Sequence, residues 1–195
     1  MLLPHIETER LKLRTYKTED LETVYRLFSD AHITRFFHED FSVNRADILA
    51  SLPRRRSRWQ SRGFGQFGVF EKTVERRLIG FCGLQYLDKT SDVEIFYGFF
   101  REFWGKGLGT EAARAVLRFG FEHAKLERIV AVTRPENLAS QMVLLKLGMT
   151  PQEKEREFYG VKVALFVLER ADFKTTDLPF YKLEFEELDA PKSDV

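Results

Sequence analysis

The stretch richest in chemistry runs Asp92-Val-Glu-Ile-Phe-Tyr-Gly-Phe-Phe-Arg-Glu-Phe-Trp-Gly-Lys-Gly-Leu-Gly-Thr-Glu111. It reads as a strand, then a loop with glycines at 105, 107 and 109, then the start of a helix. Glycines let the backbone turn its N–H groups inward, and the first helical turn adds roughly half a positive charge. Such a junction holds a phosphate or pyrophosphate without cationic side chains. The same residues equally suit a tight strand-to-helix turn with no ligand, and the glycines alone do not choose. Two nucleotide motifs fit poorly. A P-loop lysine is followed by Ser or Thr, whereas Lys106 stands between glycines. A Rossmann fingerprint spaces its glycines unevenly, whereas these three are two apart.

The segments around the loop have regular periods. Leu11 and Leu13 alternate with charges, the pattern of a half-buried strand. Thr18 suits a helix N-cap with Glu19 and Asp20 in the first turn, and Leu21, Val24, Leu27 and Phe28 mark an amphipathic helix. A second helix falls within residues 44–61, where Pro53 is expected to interrupt or restart it. Residues 65–70, 78–87 and 93–99 read as three strands of an antiparallel meander. The helix from about Thr110 buries Ala113, Val116, Leu117, Gly120, Phe121 and Ala124. A short strand covers residues 129–132. Asn137 then caps a helix with Ser140, Val143, Leu144 and Leu147 inward, ended by Gly148. Residues 152–159 and 161–169 suit a hairpin turning at Gly160. The division is a domain over residues 1–171 and a tail over 172–195 whose seven acidic residues outnumber three basic ones. In that tail Phe180, Tyr181, Leu183 and Phe185 favour partial docking, and they are a candidate dimer contact.

Composition narrows the function classes. Thirty-one Lys and Arg against 30 Asp and Glu give net +1, which speaks against a broad phosphate-tracking surface and makes a nucleic-acid partner unlikely. The one cysteine, Cys82, forms no internal disulfide, and the four histidines lack metal-ligand spacing, so no metal site is expected. No apolar run approaches 18 residues, and residues 1–5 meet charges at once, so neither a membrane span nor a signal peptide is read. These features favour the reducing cytoplasm, as monomer or homodimer.

The sequence resembles the GCN5-related N-acetyltransferases. Trp104-Gly-Lys-Gly-Leu-Gly109 matches their acetyl-CoA pyrophosphate pattern, Gln/Arg-x-x-Gly-x-Gly/Ala, except that Trp104 takes the first position. Thr8-Glu-Arg-Leu-Lys-Leu-Arg14, Glu94-Ile, Thr110-Glu-Ala112 and Asn137-Leu-Ala-Ser140 are similar to the branch containing ribosomal-protein N-terminal acetyltransferases. The resemblance implies an α/β (α+β) fold, a mixed and mostly antiparallel sheet of about six to seven strands with helices on both faces. It implies direct acetyl transfer from acetyl-CoA to an amine acceptor, a protein N-terminus or a small molecule such as an aminoglycoside or polyamine. A catalytically inactive acyl-CoA-binding module is the alternative.

By the same resemblance, the cofactor pyrophosphate rests on the amides of Gly105, Lys106, Gly107, Leu108, Gly109 and Thr110, with Trp104 covering the phosphates. The amide near Phe99 meets the thioester oxygen, and Asn137 contacts the pantetheine across a splay between two strands. Glu94 aligns with a general base, against an ordinary strand carboxylate in a salt bridge or supporting the sheet. Many members carry a tyrosine at the position of Leu144, which has no proton to give, so Ser140 is the candidate partner of the thiolate. Arg54, Arg55, Arg56, Arg58 and Arg62 flank Trp59. They read as a solvated helix face, a base-stacking surface, or a dock for an acidic or ribosomal substrate. Phe36, Phe37 and Phe41 are candidate acceptor-pocket residues.

Overall fold

The computed structural model describes residues 2–36, 43–73, 77–175 and 178–187. Phe37 and Phe41 lie outside the described residues. Strands β1 (Leu2–Glu7) and β2 (Leu11–Arg14) are followed by helices α1 (Leu21–Ser29), α2 (Ala31–Thr34) and α3 (Arg45–Arg62). The meander is β3 (Gln66–Glu71), β4 (Leu78–Tyr86) and β5 (Val93–Phe99). It leads to α4 (Leu108–Arg118), β6 (Arg128–Thr133) and α5 (Leu138–Lys146). Strands β7 (Thr150–Pro151), β8 (Arg156–Phe158), β9 (Val161–Glu169) and β10 (Lys182–Glu187) complete the order.

Among the described residues the strands form one mixed sheet of ten, ordered β10-β1-β2-β3-β4-β5-β6-β9-β7, with β8 on β9. Every pairing is antiparallel except β5 with β6. The mixed, mostly antiparallel sheet matches expectation, but six or seven strands was too few. The additions are β1, whose sequence Leu2-Leu-Pro-His-Ile-Glu7 lacks alternation, the two-residue β7, and β10 in the acidic tail.

Two large apolar clusters occupy opposite faces. On one, α4 and α5 cover Phe67, Cys82, Leu84, Ile95, Ile129 and Phe166. On the other, Val24, Leu27 and Phe28 of α1 and Ile48 and Leu52 of α3 cover Phe70, Leu78 and Phe81. Strand side chains alternate between the faces. Glu94 and Phe96 therefore share the α1–α3 face, and Ile95, Tyr97 and Phe99 the α4–α5 face.

Local signals were read with mixed success. Asn44 caps α3, its Oδ1 accepting from Asp47 N at 2.9 Å, yet α3 runs unbroken through Pro53. Packing of Ile48, Leu52 and Trp59 outweighs the hydrogen bond that the proline removes. Thr18 is not a cap: residues Thr18–Asp20 form a 3-10 turn. Asp20 accepts from Lys17 N at 2.7 Å and binds Arg14 through both carboxylate oxygens. Gly160 and Tyr159 both have positive φ, the geometry of a tight two-residue hairpin between β8 and β9.

Within that tail, residues 180–187 dock on their own chain. Strand β10 pairs with β1 over six residues, Leu183 packs on the core, and Phe185 stacks on His123 with ring centroids 4.9 Å apart. The Arg118 guanidinium lies 4.4 Å from the Tyr181 ring centre, and Lys72 lies 5.0 Å from that of Phe180. The rings expected as a dimer contact are thus engaged within the chain.

Candidate functional site

Strands β5 and β6 pair at a single position, Glu94 with Val130, and separate beyond it. Phe100 N donates to Ile79 O on β4, so by ladder alternation the amides of Tyr97 and Phe99 face the other edge, toward β6. A slot edged by backbone donors therefore opens through the sheet. It is continuous with a cavity of about 420 Å³ lined by residues from both faces.

On the α1–α3 side the cavity holds Glu94. Its carboxylate accepts from Gln85 Nε2 at 2.8 Å and from the hydroxyl of Tyr159. Among the described residues no cation pairs with it, which removes the salt-bridge reading. Burial pushes its pKa up, opposed by the two donated hydrogen bonds. Tyr159 is fixed in turn by Asp88, whose backbone N–H donates to the hydroxyl at 2.9 Å and whose carboxylate accepts from Tyr159 N at 3.0 Å.

On the α4–α5 side the cavity holds Tyr97, Ser140, Asn137 and Leu144. Asn137 caps α5 by accepting from Ser140 N at 3.2 Å. Ser140 Oγ lies 3.0 Å from the Tyr97 hydroxyl. Leu144 is buried beneath them, and burial raises the Tyr97 pKa, keeping its proton on. Tyr97, Tyr159 and Gln85 were missed by the sequence reading. Strand alternation puts Tyr97 on the α4–α5 face, and the β5–β6 gap brings it to a cavity shared with Glu94.

The glycine loop lies beyond the C-terminal end of β5. Gly105 and Gly107 have φ of 73° and 75°, the left-handed region. Gly107 is the residue before α4, which starts at Leu108 rather than about Thr110. The 11-residue α4 thus presents the amides of Leu108, Gly109 and Thr110 at its first turn. The loop is braced from the turn between β1 and β2. Arg10 donates to Lys106 O at 2.9 Å and to Glu111 Oε2 at 2.6 Å, while Thr8 Oγ1 donates to Glu111 Oε1 at 2.6 Å. Trp104, the departure from the expected pattern, donates its indole N–H to Phe99 O at 2.8 Å. Lys106 carries its ammonium 5.4 Å from the Phe103 ring centre.

The arginine run of α3 divides. Arg55, Arg58 and Arg62, spaced three and four apart, line the cavity with Phe28 and Phe36. Arg54 is exposed, and Arg56 lines a separate pocket of about 180 Å³ with His5 and Lys17. Trp59 is buried against Phe67 and Phe119, which removes it as a base-stacking surface. Among the described residues no helix is long and apolar enough to cross a membrane, and no cluster of three or more His, Cys, Asp or Glu could hold a metal ion. Cys82 is buried, and burial holds its thiol protonated.

Residues 10–150 match the family described as Acetyltransferase (GNAT) domain. The sequence is 33% identical over 152 residues to the "Probable N-acetyltransferase YjcK" of Bacillus subtilis (strain 168), covering 73% of this chain and 82% of that protein. The fold is shared with the ribosomal-protein-S5-alanine acetyltransferase of Vibrio fischeri: TM-score 0.73, 21% identity, 87% of this chain and 98% of the other. It is also shared with the spermidine N-acetyltransferase of Vibrio cholerae in complex with CoA and spermine: TM-score 0.68, 18% identity, 83% and 96% covered.

Proposed function

The chain belongs to the GNAT acetyltransferase family, and from that premise we propose that it transfers the acetyl group of acetyl-CoA directly to a primary amine, with Glu94 and the Tyr97–Ser140 pair managing the protons. The observation that carries this reading is the cavity through the sheet, with Glu94 on one face and Tyr97 and Ser140 on the other. Amine and thioester would approach from opposite faces and meet at the gap, with no enzyme-bound acetyl group needed.

The residues fit the cofactor. The outward-facing amides of Tyr97 and Phe99 suit an extended pantetheine arm, and the left-handed Gly105 and Gly107 with the α4 amides suit the pyrophosphate. Asn137 lines the same cavity, its side-chain oxygen committed to the cap. The cofactor supplies an electrophilic thioester; the protein supplies the rest. The Phe99 amide would stabilise charge on the thioester oxygen. Glu94 would take the proton that the amine loses as the C–N bond forms, and its raised pKa makes it a stronger base than an exposed carboxylate. The Tyr97 hydroxyl, through Ser140 Oγ, would return a proton to the sulfur as the C–S bond breaks. Tyr97 thus occupies the role for which Leu144 has no proton.

A protein N-terminal amine is the acceptor suggested by likeness to the S5-alanine acetyltransferase, and a small amine by likeness to the spermidine enzyme. The test is acetyl-CoA calorimetry followed by thiol release with a panel of amines and N-terminal peptides. Binding with thiol release supports the enzyme; binding with none across a broad panel supports an inactive acyl-CoA-binding module; no binding at millimolar acetyl-CoA overturns both.

A further inference from the structure

The wall of the cavity beside Glu94 is cationic. Arg55, Arg58 and Arg62 form one face of α3, and Arg134, just past β6, lines the same cavity. Glu94 is the one acidic residue among the described lining residues. Arg55 is held in place: its Nε donates to Ser51 Oγ at 3.1 Å, a second nitrogen donates to Gln66 Oε1, and its guanidinium lies 5.0 Å from the Phe28 ring centre. Arg58 and Arg62 are exposed and make no ion pair among the described residues. Arg62 rests 5.1 Å from the Tyr86 ring centre.

We propose that the acceptor is a primary amine that also carries a carboxylate or phosphate, its nitrogen directed to Glu94 and its anionic group to Arg58 and Arg62. This rests on the acetyltransferase reading above and names its substrate class. A guanidinium presents paired donors that match the oxygens of a carboxylate or phosphate. The same field favours the neutral form of an arriving ammonium, which is the nucleophilic form. It also disfavours polyamines: a spermidine acetylated at one end brings its remaining positive charges against four guanidinium groups. Cavities of one sign select partners of the other.

The test compares four amines at saturating acetyl-CoA. Two are peptides with the same N-terminal serine, followed by two glutamates in one and two lysines in the other. The others are O-phosphoethanolamine and spermidine. The expected result is a kcat/KM for the acidic peptide or O-phosphoethanolamine at least roughly tenfold above its cationic counterpart, a margin that narrows as salt is raised. Which of the two anionic amines leads distinguishes a peptide source from a small-molecule source. Arg58→Glu and, separately, Arg62→Glu should erase or invert the preference, with melting temperatures showing that both variants fold. Turnover led by spermidine or the lysine peptide, or a preference indifferent to both substitutions, overturns this proposal alone. Absence of thiol release with a broad amine panel overturns the enzyme reading with it.

Discussion

The hydroxyls of Tyr97 and Ser140 lie 3.0 Å apart, one on a central strand and the other in the first turn of α5. The pair lies on the face of β5 opposite Glu94. A base and an acid on opposite faces need not neutralise each other, and each can keep the protonation state that its step requires. Tyr97→Phe should therefore lower kcat by about 10- to 100-fold with little change in acetyl-CoA affinity. Because the two hydroxyls act as a unit, adding Ser140→Ala should cost much less than it does alone. Steady-state thiol release from the four proteins of the cycle checks this, and additive losses would separate the two roles.

Glu94 carries a prediction in which activity and stability move oppositely. As a base it must be ionised, so the rising limb of kcat/KM against pH should fall above the ordinary carboxylate range, and Glu94→Gln should remove that limb with roughly a hundredfold or greater loss of rate. A carboxyl with its folded pKa raised favours the native state below its unfolded pKa and loses that contribution as pH rises through the folded value. Glutamine does not ionise. Its variant should melt higher than the parent near about pH 8 and lose the advantage near about pH 3, where the acid is protonated in both states. Melting curves at the two pH values decide it.

Much of this site was legible because its signals are local. The strand, the glycine loop and the Asn137 cap each depend on neighbours within a few residues, and so all three were placed correctly. What escaped is long-range. Tyr97 looked like one more aromatic in a strand until the β5–β6 divergence brought it beside Ser140. The 65-residue separation between Glu94 and Tyr159 hides their hydrogen bond in the same way. The arginine run read as a solvated face, a base-stacking surface or an acidic-substrate dock, and helical spacing alone does not choose which of its members meet a cavity; Arg55, Arg58 and Arg62 do. Pro53 misled for a related reason: a local rule against proline lost to burial at Ile48, Leu52 and Trp59.

The loop brace makes a separable prediction. Arg10→Ala removes the contact with Lys106 O and leaves Glu111 held by Thr8 and the backbone N–H of residue 10. The loop amides lose their fixed aim, so the Kd for acetyl-CoA should rise several-fold, equivalent to about 1 kcal/mol for one charge-assisted hydrogen bond. Gly107→Ala should act in the same direction by straining the left-handed position, at about 1 kcal/mol. Calorimetry with acetyl-CoA reads both, and unchanged affinity in both variants would remove the loop from cofactor binding.

The C-terminal strand makes the last prediction. Strand β10 covers the outer edge of β1, and the Glu186 carboxylate accepts from His5 Nδ1 at 2.9 Å, which holds that carboxyl below its usual pKa. A chain ended at residue 179 loses that cover, the Leu183 packing and the Phe185–His123 stack. Burial of Leu183 alone is worth roughly 1 to 2 kcal/mol, so the melting temperature should fall by several degrees. The bared edge also offers unpaired backbone groups to another chain. Light scattering should therefore show concentration-dependent association in the shortened chain beyond that of the full one. A shortened chain that melts and scatters like the parent would make β10 an ornament of the sheet and return residues 172–195 to the status of an independent tail.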